Sequence, residues 1–224
     1  VRFLTETESR RVAEAVAAAE MRTGGEIATA IIPESDDYGY QELLFALIVG
    51  AIAWTVTLAT QAPLTVLMDR LFWSWQPWML AALQGAIAME VGLVAYWLAQ
   101  VPAVDRVIVS RARMAEAVAR RARRHFVEAA VYDTVDRTGI LLFVSVLERR
   151  VELIADRGIN EQVQPETWSS IVAELTAGIR AGKTANALVA AVEACGNVLD
   201  GRVARRRDDT NELPNRPTQL EKGS

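Results

Sequence analysis

Two stretches of this chain are too apolar, and too long, to read as ordinary core helices of a small domain. Residues 43–68 carry no charged side chain. After Asp69 and Arg70, residues 71–104 carry one, Glu90. About 20 apolar residues suffice to cross the hydrocarbon core of a bilayer as a helix. The predicted spans are residues 43–62, ended by Pro63, and residues 78–101. Trp73, Trp75 and Trp78 gather at one end of the second run, and Tyr96 and Trp97 lie near the other, as in an aromatic belt. Arg106, Arg111, Arg113, Arg120, Arg121, Arg123 and Arg124 follow the second span, whereas the short connection holds only Arg70. The positive-inside rule then puts both chain ends in the cytoplasm and the connection outside. The opening VRFLTETESRR is polar and carries no cleavable signal pattern, so none is expected there.

The remainder reads as one α/β domain that the hairpin interrupts. Ile140, Leu142, Val144 and Val146 fall on one face of a predicted strand, and Leu141 and Phe143 on the other. With both faces apolar, this strand is expected in the middle of a covered sheet. Leu147, Glu148, Arg149 and Arg150 make a turn, and Val151, Leu153 and Ala155 alternate with Glu152 in a more exposed second strand. Residues 26–32 predict another strand, ended by Pro33. The acidic loop Glu34, Ser35, Asp36, Asp37 after it reads as a solvated linker. Neither strand region folds alone, so the predicted domain is discontinuous: residues 1–38 and 105–200, with the hairpin (43–101) inserted and a charged, poorly ordered tail at 201–224.

The pattern GILLFVS, ERRVE and DRGI over residues 139–159 resembles the TPM domain family. The resemblance extends to residues 23–32, 168–199 and the tail segment DDTNELPNRP at 208–217. It implies a TPM-type mixed sheet flanked by helices. It also implies a choice of activities, since family members are described as acid-phosphatase-like, calcium-binding, or accessory to membrane complexes.

Several helices are predicted around the strands. Thr5 and Glu8 have capping-box spacing, followed by Val12, Val16 and Ala19 at helical spacing, with Gly24 and Gly25 as the stop. Residues 107–131 predict one helix whose Ala115, Val118, Ala122 and Phe126 form an apolar stripe. Its Arg113, Arg120, Arg121 and Arg124 either hold anionic lipid headgroups or only fix topology. Pro165 opens a helix with the stripe Trp168, Ile171, Val172, Leu175 and Ile179, and Gly182 separates it from a last helix bearing Ala185, Leu188, Val189, Val192 and Leu199.

The chemical inventory is small. Net charge is −4, with no nucleic-acid signature, and one His and one Cys exclude a zinc cluster or an internal disulfide. His125, in a basic helix, is expected exposed and idle, and Cys195 buried and inert. Residues 177–184 resemble a phosphate-binding loop, but a helix rather than a strand leads into them, so Gly182 and Lys183 read as a helix–helix turn. Asp133, Asp136 and Asp156 gather at one sheet end if the strands fold back. They form either a site for a hard cation such as calcium, which the family resemblance supports, or surface ion pairs with Arg137 and Arg157. Glu90 lies near the middle of the second span, among Ala81, Gly85, Ala88 and Gly92, with Ala46 and Gly50 in the first span. Such small residues let helices pack closely. Glu90 is either a polar contact to a partner or a tolerated protonated acid. The reading that fits best is a membrane-tethered accessory module acting with lipid, with a membrane-protein partner or as a homo-oligomer. A metal-dependent acid-phosphatase-like hydrolase and a subunit of a small oligomeric pore are the alternatives.

Overall fold

A computed structural model describes residues 3–205 and 211–221 of the chain. They divide into two compact units, one drawn from 1–36 and 112–224 and the other from 37–111.

The first unit is built on a mixed four-stranded sheet. Its strands are β1 (Ile27–Ile32), β2 (Ile140–Ser145), β3 (Arg150–Ala155) and β4 (Thr218–Gln219), in the order β3-β2-β1-β4. β1 and β2 run parallel, Ile27 opposite Ile140 through Ile32 opposite Ser145. β3 is antiparallel to β2, and β4 parallel to β1. Every residue of β1 and β2 is buried. Alternation divides them between two cores. Ile27, Ile31, Ile140, Leu142 and Val144 face a layer of α1 (Glu6–Glu20), α8 (Pro165–Arg180) and α9 (Thr184–Leu199), meeting Val12, Val16, Ile171, Leu175, Leu188 and Val192. Ala28, Ala30, Ile32, Leu141 and Phe143 face Val118 and Ala122 of α6 (Arg111–Glu128), together with Leu213. Burial of each large aliphatic side chain is worth about 1.5–3 kcal/mol, so an all-apolar strand is stable only with both layers in place.

Local signals start and stop these elements. Thr5 and Glu8 close a capping box at α1: the Glu8 N–H donates to Thr5 Oγ1 at 3.2 Å, and the Thr5 N–H to Glu8 Oε2 at 2.8 Å. Gly182, at φ +73°, turns the chain between α8 and α9. A helix enters this segment, so the phosphate-loop geometry is absent. Gly139 and Gly158 are required by close backbone approach. A Cβ on Gly139 would lie 2.1 Å from the Val131 carbonyl oxygen, and one on Gly158 2.5 Å from that of Asp136.

The tail departs from expectation. Asp208, Asp209 and Thr210 lie outside the described residues. Beyond them the chain does not trail off: Leu213 is buried and its N–H donates to Glu26 Oε2 at 3.2 Å. β4 then adds to the sheet, and the Leu220 N–H donates to the Ile31 carbonyl at 2.9 Å. A two-residue strand offers no periodicity to read; backbone hydrogen bonds to β1 hold it. The single helix predicted at 107–131 is two, α5 (Pro102–Ile108) and α6, broken where Val109 is extended before Ser110.

The second unit holds α2 (Gly39–Ala59), α3 (Gln61–Leu71) and α4 (Pro77–Ala99), followed by α5. α2 and α4, of 21 and 23 residues, are long and apolar enough to cross a membrane. Only 17% and 11% of their apolar windows are buried, the reverse of a core helix. α2 begins four residues before the predicted span, and the connection is not short, because α3 occupies it.

Gly139→Ala should cost at least the 1–3 kcal/mol typical of overpacking, roughly, since the clashing atom is backbone. Thermal melts of detergent-solubilised protein measure it, and a wild-type midpoint would contradict the close approach.

Candidate functional site

The predicted aspartates do not come together as a metal site. Among the described residues no group of three or more His, Cys, Asp or Glu is arranged to hold a cation. Asp156 is the N-cap of the short helix α7 (Arg157–Asn160), its Oδ1 accepting from the Arg157 N–H at 2.7 Å, and Arg137 Nη1 lies 4.0 Å from its Oδ2. Asp133 lies in the 3-10 turn Val131–Asp133. Asp136 lends its carbonyl to the contact beneath Gly158.

The opposite end of the sheet is organised instead. Parallel pairing continues past the ends of β1 and β2: the Val146 N–H donates to the Ile32 carbonyl at 3.0 Å, and the Leu147 N–H to that of Pro33 at 2.9 Å. This holds residues 33–35 against 146–148. The Ser145 hydroxyl, fully buried, donates to Glu148 Oε2 through a short contact. With its proton so used, Ser145 accepts from the Ser35 hydroxyl, at 2.7 Å. The Ser35 N–H donates to Glu148 Oε1 at 3.0 Å. Glu34 and Glu148 are both buried, and Asp36 accepts from Arg120 Nη2 at 2.9 Å with Arg113 at 4.0 Å. The acidic loop read as a solvated linker is therefore a built polar cluster at the carboxyl end of parallel strands, where open α/β sheets commonly take ligands. A signal was present: Ser145 is the polar residue that ends an otherwise apolar strand, with Glu148 three residues on.

The arginines of α6 do not form one exposed patch. Arg121 is buried, not solvent-facing, and donates to Glu128 Oε2 at 3.1 Å. Arg124 donates to the other Glu128 oxygen at 2.6 Å. Arg113 and Arg120 are about half exposed but engaged by Asp36, and Glu116 also lies 3.7 Å from Arg120. Arg121 and His125 lie on the sheet side of α6 because they share the face of Val118 and Ala122. His125, expected exposed, is buried with its ring centroid 6.1 Å from that of Phe143. Burial, then the neighbouring Arg121, hold its pKa below the usual histidine value, against the pull of Glu128. Cys195 is buried and its thiol pushed up to about 12.

In the second unit, Gly50, Gly85, Ala88 and Gly92 lie where α2 meets α4. A Cβ on Gly50 would stand 3.3 Å from the Ala88 carbonyl, one on Gly92 3.4 Å from that of Ala46, and one on Gly85 3.1 Å from the Trp54 ring. Gln84 Nε2 donates across the pair to the Thr57 carbonyl at 3.0 Å. Leu43, Leu47, Ala51, Met89 and Leu93 line an open apolar groove of about 580 Å³ along this seam. Glu90 is not on the small-residue face; it is exposed.

Residues 103–198 match the family model of the TPM domain. No curated protein matches the chain. Among solved structures, the chain is similar to the NMR structure of BA42 protein from the psychrophilic bacterium Bizionia argentinensis, with a TM-score of 0.58 and 17% identity over 98% of this chain and 97% of that one. At that identity the likeness is one of fold.

Two outcomes are expected. Glu148→Ala strips the acceptor from the Ser35 N–H and the Ser145 hydroxyl and should cost about 1–3 kcal/mol, with Glu148→Gln costing less; melting curves in detergent compare them. His125 has a lowered folded pKa, so the unfolded chain takes up its proton first as pH falls below about 6.5. Stability from this group is therefore present above that value and lost on acidification, until the folded pKa is reached. The drop in melting temperature from about pH 7.5 to about pH 5.5 should be smaller in His125→Leu than in wild type; equal drops would exclude His125 as a contributor.

Proposed function

We propose that the protein is a membrane-tethered accessory module, whose TPM-like domain is held at the cytoplasmic face of the bacterial inner membrane by the α2–α4 hairpin and acts with a membrane-protein partner. One observation carries the reading: β1 and β2 pair residue for residue in parallel, yet the two apolar helices are inserted between them. Segments so paired lie on one side of any bilayer. The intervening chain must then cross an even number of times, and α2 and α4 supply two crossings. Orientation follows from arginine. Arg106, Arg111 and Arg113 stand within about 15–20 residues of the end of α4, against Arg70 alone in the α3 connection. α3, with Leu71, Phe72 and Trp73 exposed after or within it, then rests at the outer interface.

Cysteine labelling in intact cells tests this. The native Cys195 is buried with a raised pKa and stays silent. Ser74→Cys, at an exposed position after α3, should react with an impermeant maleimide, and Ser170→Cys, exposed on α8, should react only after permeabilisation. The reverse pattern would invert the orientation. Equal labelling of both sites before permeabilisation would mean that the hairpin does not cross.

A further inference from the structure

Among the described residues, several polar groups of the hairpin are satisfied within it. The hydroxyls of Thr55, Thr57 and Thr60 return to carbonyls of α2, and Gln84 bonds the Thr57 carbonyl. Glu90 makes no hydrogen bond or ion pair with any described residue. It lies nine residues, about 13.5 Å of helical rise, from Ala99 and thirteen, about 20 Å, from Pro77. A glutamate side chain is too short to carry its carboxyl over either distance to a headgroup. It is offset by two positions from both Ala88 and Gly92, so it projects from the side of α4 opposite α2. Ala86, Val94 and Trp97, at helical spacing around it, are exposed and apolar.

We propose that this outer face of α4 docks a transmembrane helix of a partner protein that carries a Lys or Arg at mid-membrane depth, with Glu90 as its counter-charge. The inference rests on the reading that the hairpin spans the bilayer. Charge complementarity selects the occupant. A charged group left in lipid is costly, and such residues pair with one another or line a cavity. A second copy of this chain has no Lys, Arg or His in α2 or α4 to offer; it could only oppose one Glu90 with another. The small residues that favour close packing are already used between α2 and α4. The outer face therefore offers an apolar stripe and one acid, which a helix with a single central base complements.

The test uses the full-length protein with Ser74→Cys, dye-labelled there and reconstituted in phosphatidylcholine vesicles. The probes are three synthetic leucine–alanine helices of spanning length, identical except for a central Lys, Leu or Glu, and association is read by energy transfer. Wild type should bind the Lys-centred helix roughly 3- to 30-fold more tightly than the Leu-centred one, as expected for one interhelical polar contact. Glu90→Leu should abolish that preference, and Glu90→Lys should move it to the Glu-centred helix. Equal binding of the Lys and Leu helices by wild type, or a preference that survives Glu90→Leu, overturns the proposal. Self-association that excludes all three probes overturns it too, assigning the face to a second copy. The intact-cell labelling of Ser74→Cys is repeated for each variant. Lost labelling in wild type would remove the tether itself, whereas normal labelling with no Lys preference removes only the partner.

Discussion

Everything in this molecule hangs on the parallel register of β1 with β2. Six residues on each strand pair across an insertion of more than 100. The entropy of closing so long a loop grows only slowly with its length, about 0.6 kcal/mol per doubling. The insertion also closes on itself through α2 and α4, which shortens the effective loop. The same register builds the polar cluster. Because the pairing runs on to Leu147 and Pro33, it lays Ser35 beside Ser145 and Glu148. A slip of one residue would turn Phe143 and Ile31 to the wrong layers and separate the serines at once.

The two-layer sheet was legible in the residues because β2 alternates two apolar sets without a polar interruption until Ser145. The stripe on α8 and the Thr5–Glu8 box were legible for the same reason: each is a short-range pattern with one physical cause. What escaped the sequence depends on distant partners. β4 exists because β1 presents a free edge, and nothing in Thr218 or Gln219 announces it. Arg121 and His125 look solvent-facing by type, yet the face that buries Val118 and Ala122 carries them inward. Arg121 is tolerated there because Glu128 reaches it at 3.1 Å. The acidic loop misled for a related reason: Ser35 and Asp36 read as a solvated linker until β2 supplies Ser145 and α6 supplies Arg120.

The two units use small residues for opposite ends. In the sheet unit, Gly139 and Gly158 let loops press onto backbone carbonyls, and no side chain fits. In the hairpin, Gly50 and Gly92 bring two helices together; in the proposed bilayer no hydrophobic effect drives that association, since lipid is as apolar as the helices. Close packing and the Gln84–Thr57 bond must do that work. This consumes the small-residue face within one chain. Glu90, which is exposed, lies away from that face.

The arginines after α4 show how one set of residues serves two stages. In the finished fold Arg113, Arg120, Arg121 and Arg124 are largely neutralised by Asp36, Glu116 and Glu128. That pairing offsets part of their charge. It does not weaken their part in the proposed orientation, because the positive-inside bias acts on the chain as it inserts, and acidic residues contribute little to it. Glu116 and Glu128 lie on α6 itself, whereas Asp36 follows β1 and meets Arg113 and Arg120 only once β2, downstream of both spans, has paired with β1. In the proposed orientation, Arg113 and Arg120 thus gain the Asp36 carboxylate only after the spans have inserted. Glu90 has no such later partner among the described residues, so its cost stays open after the domain has folded.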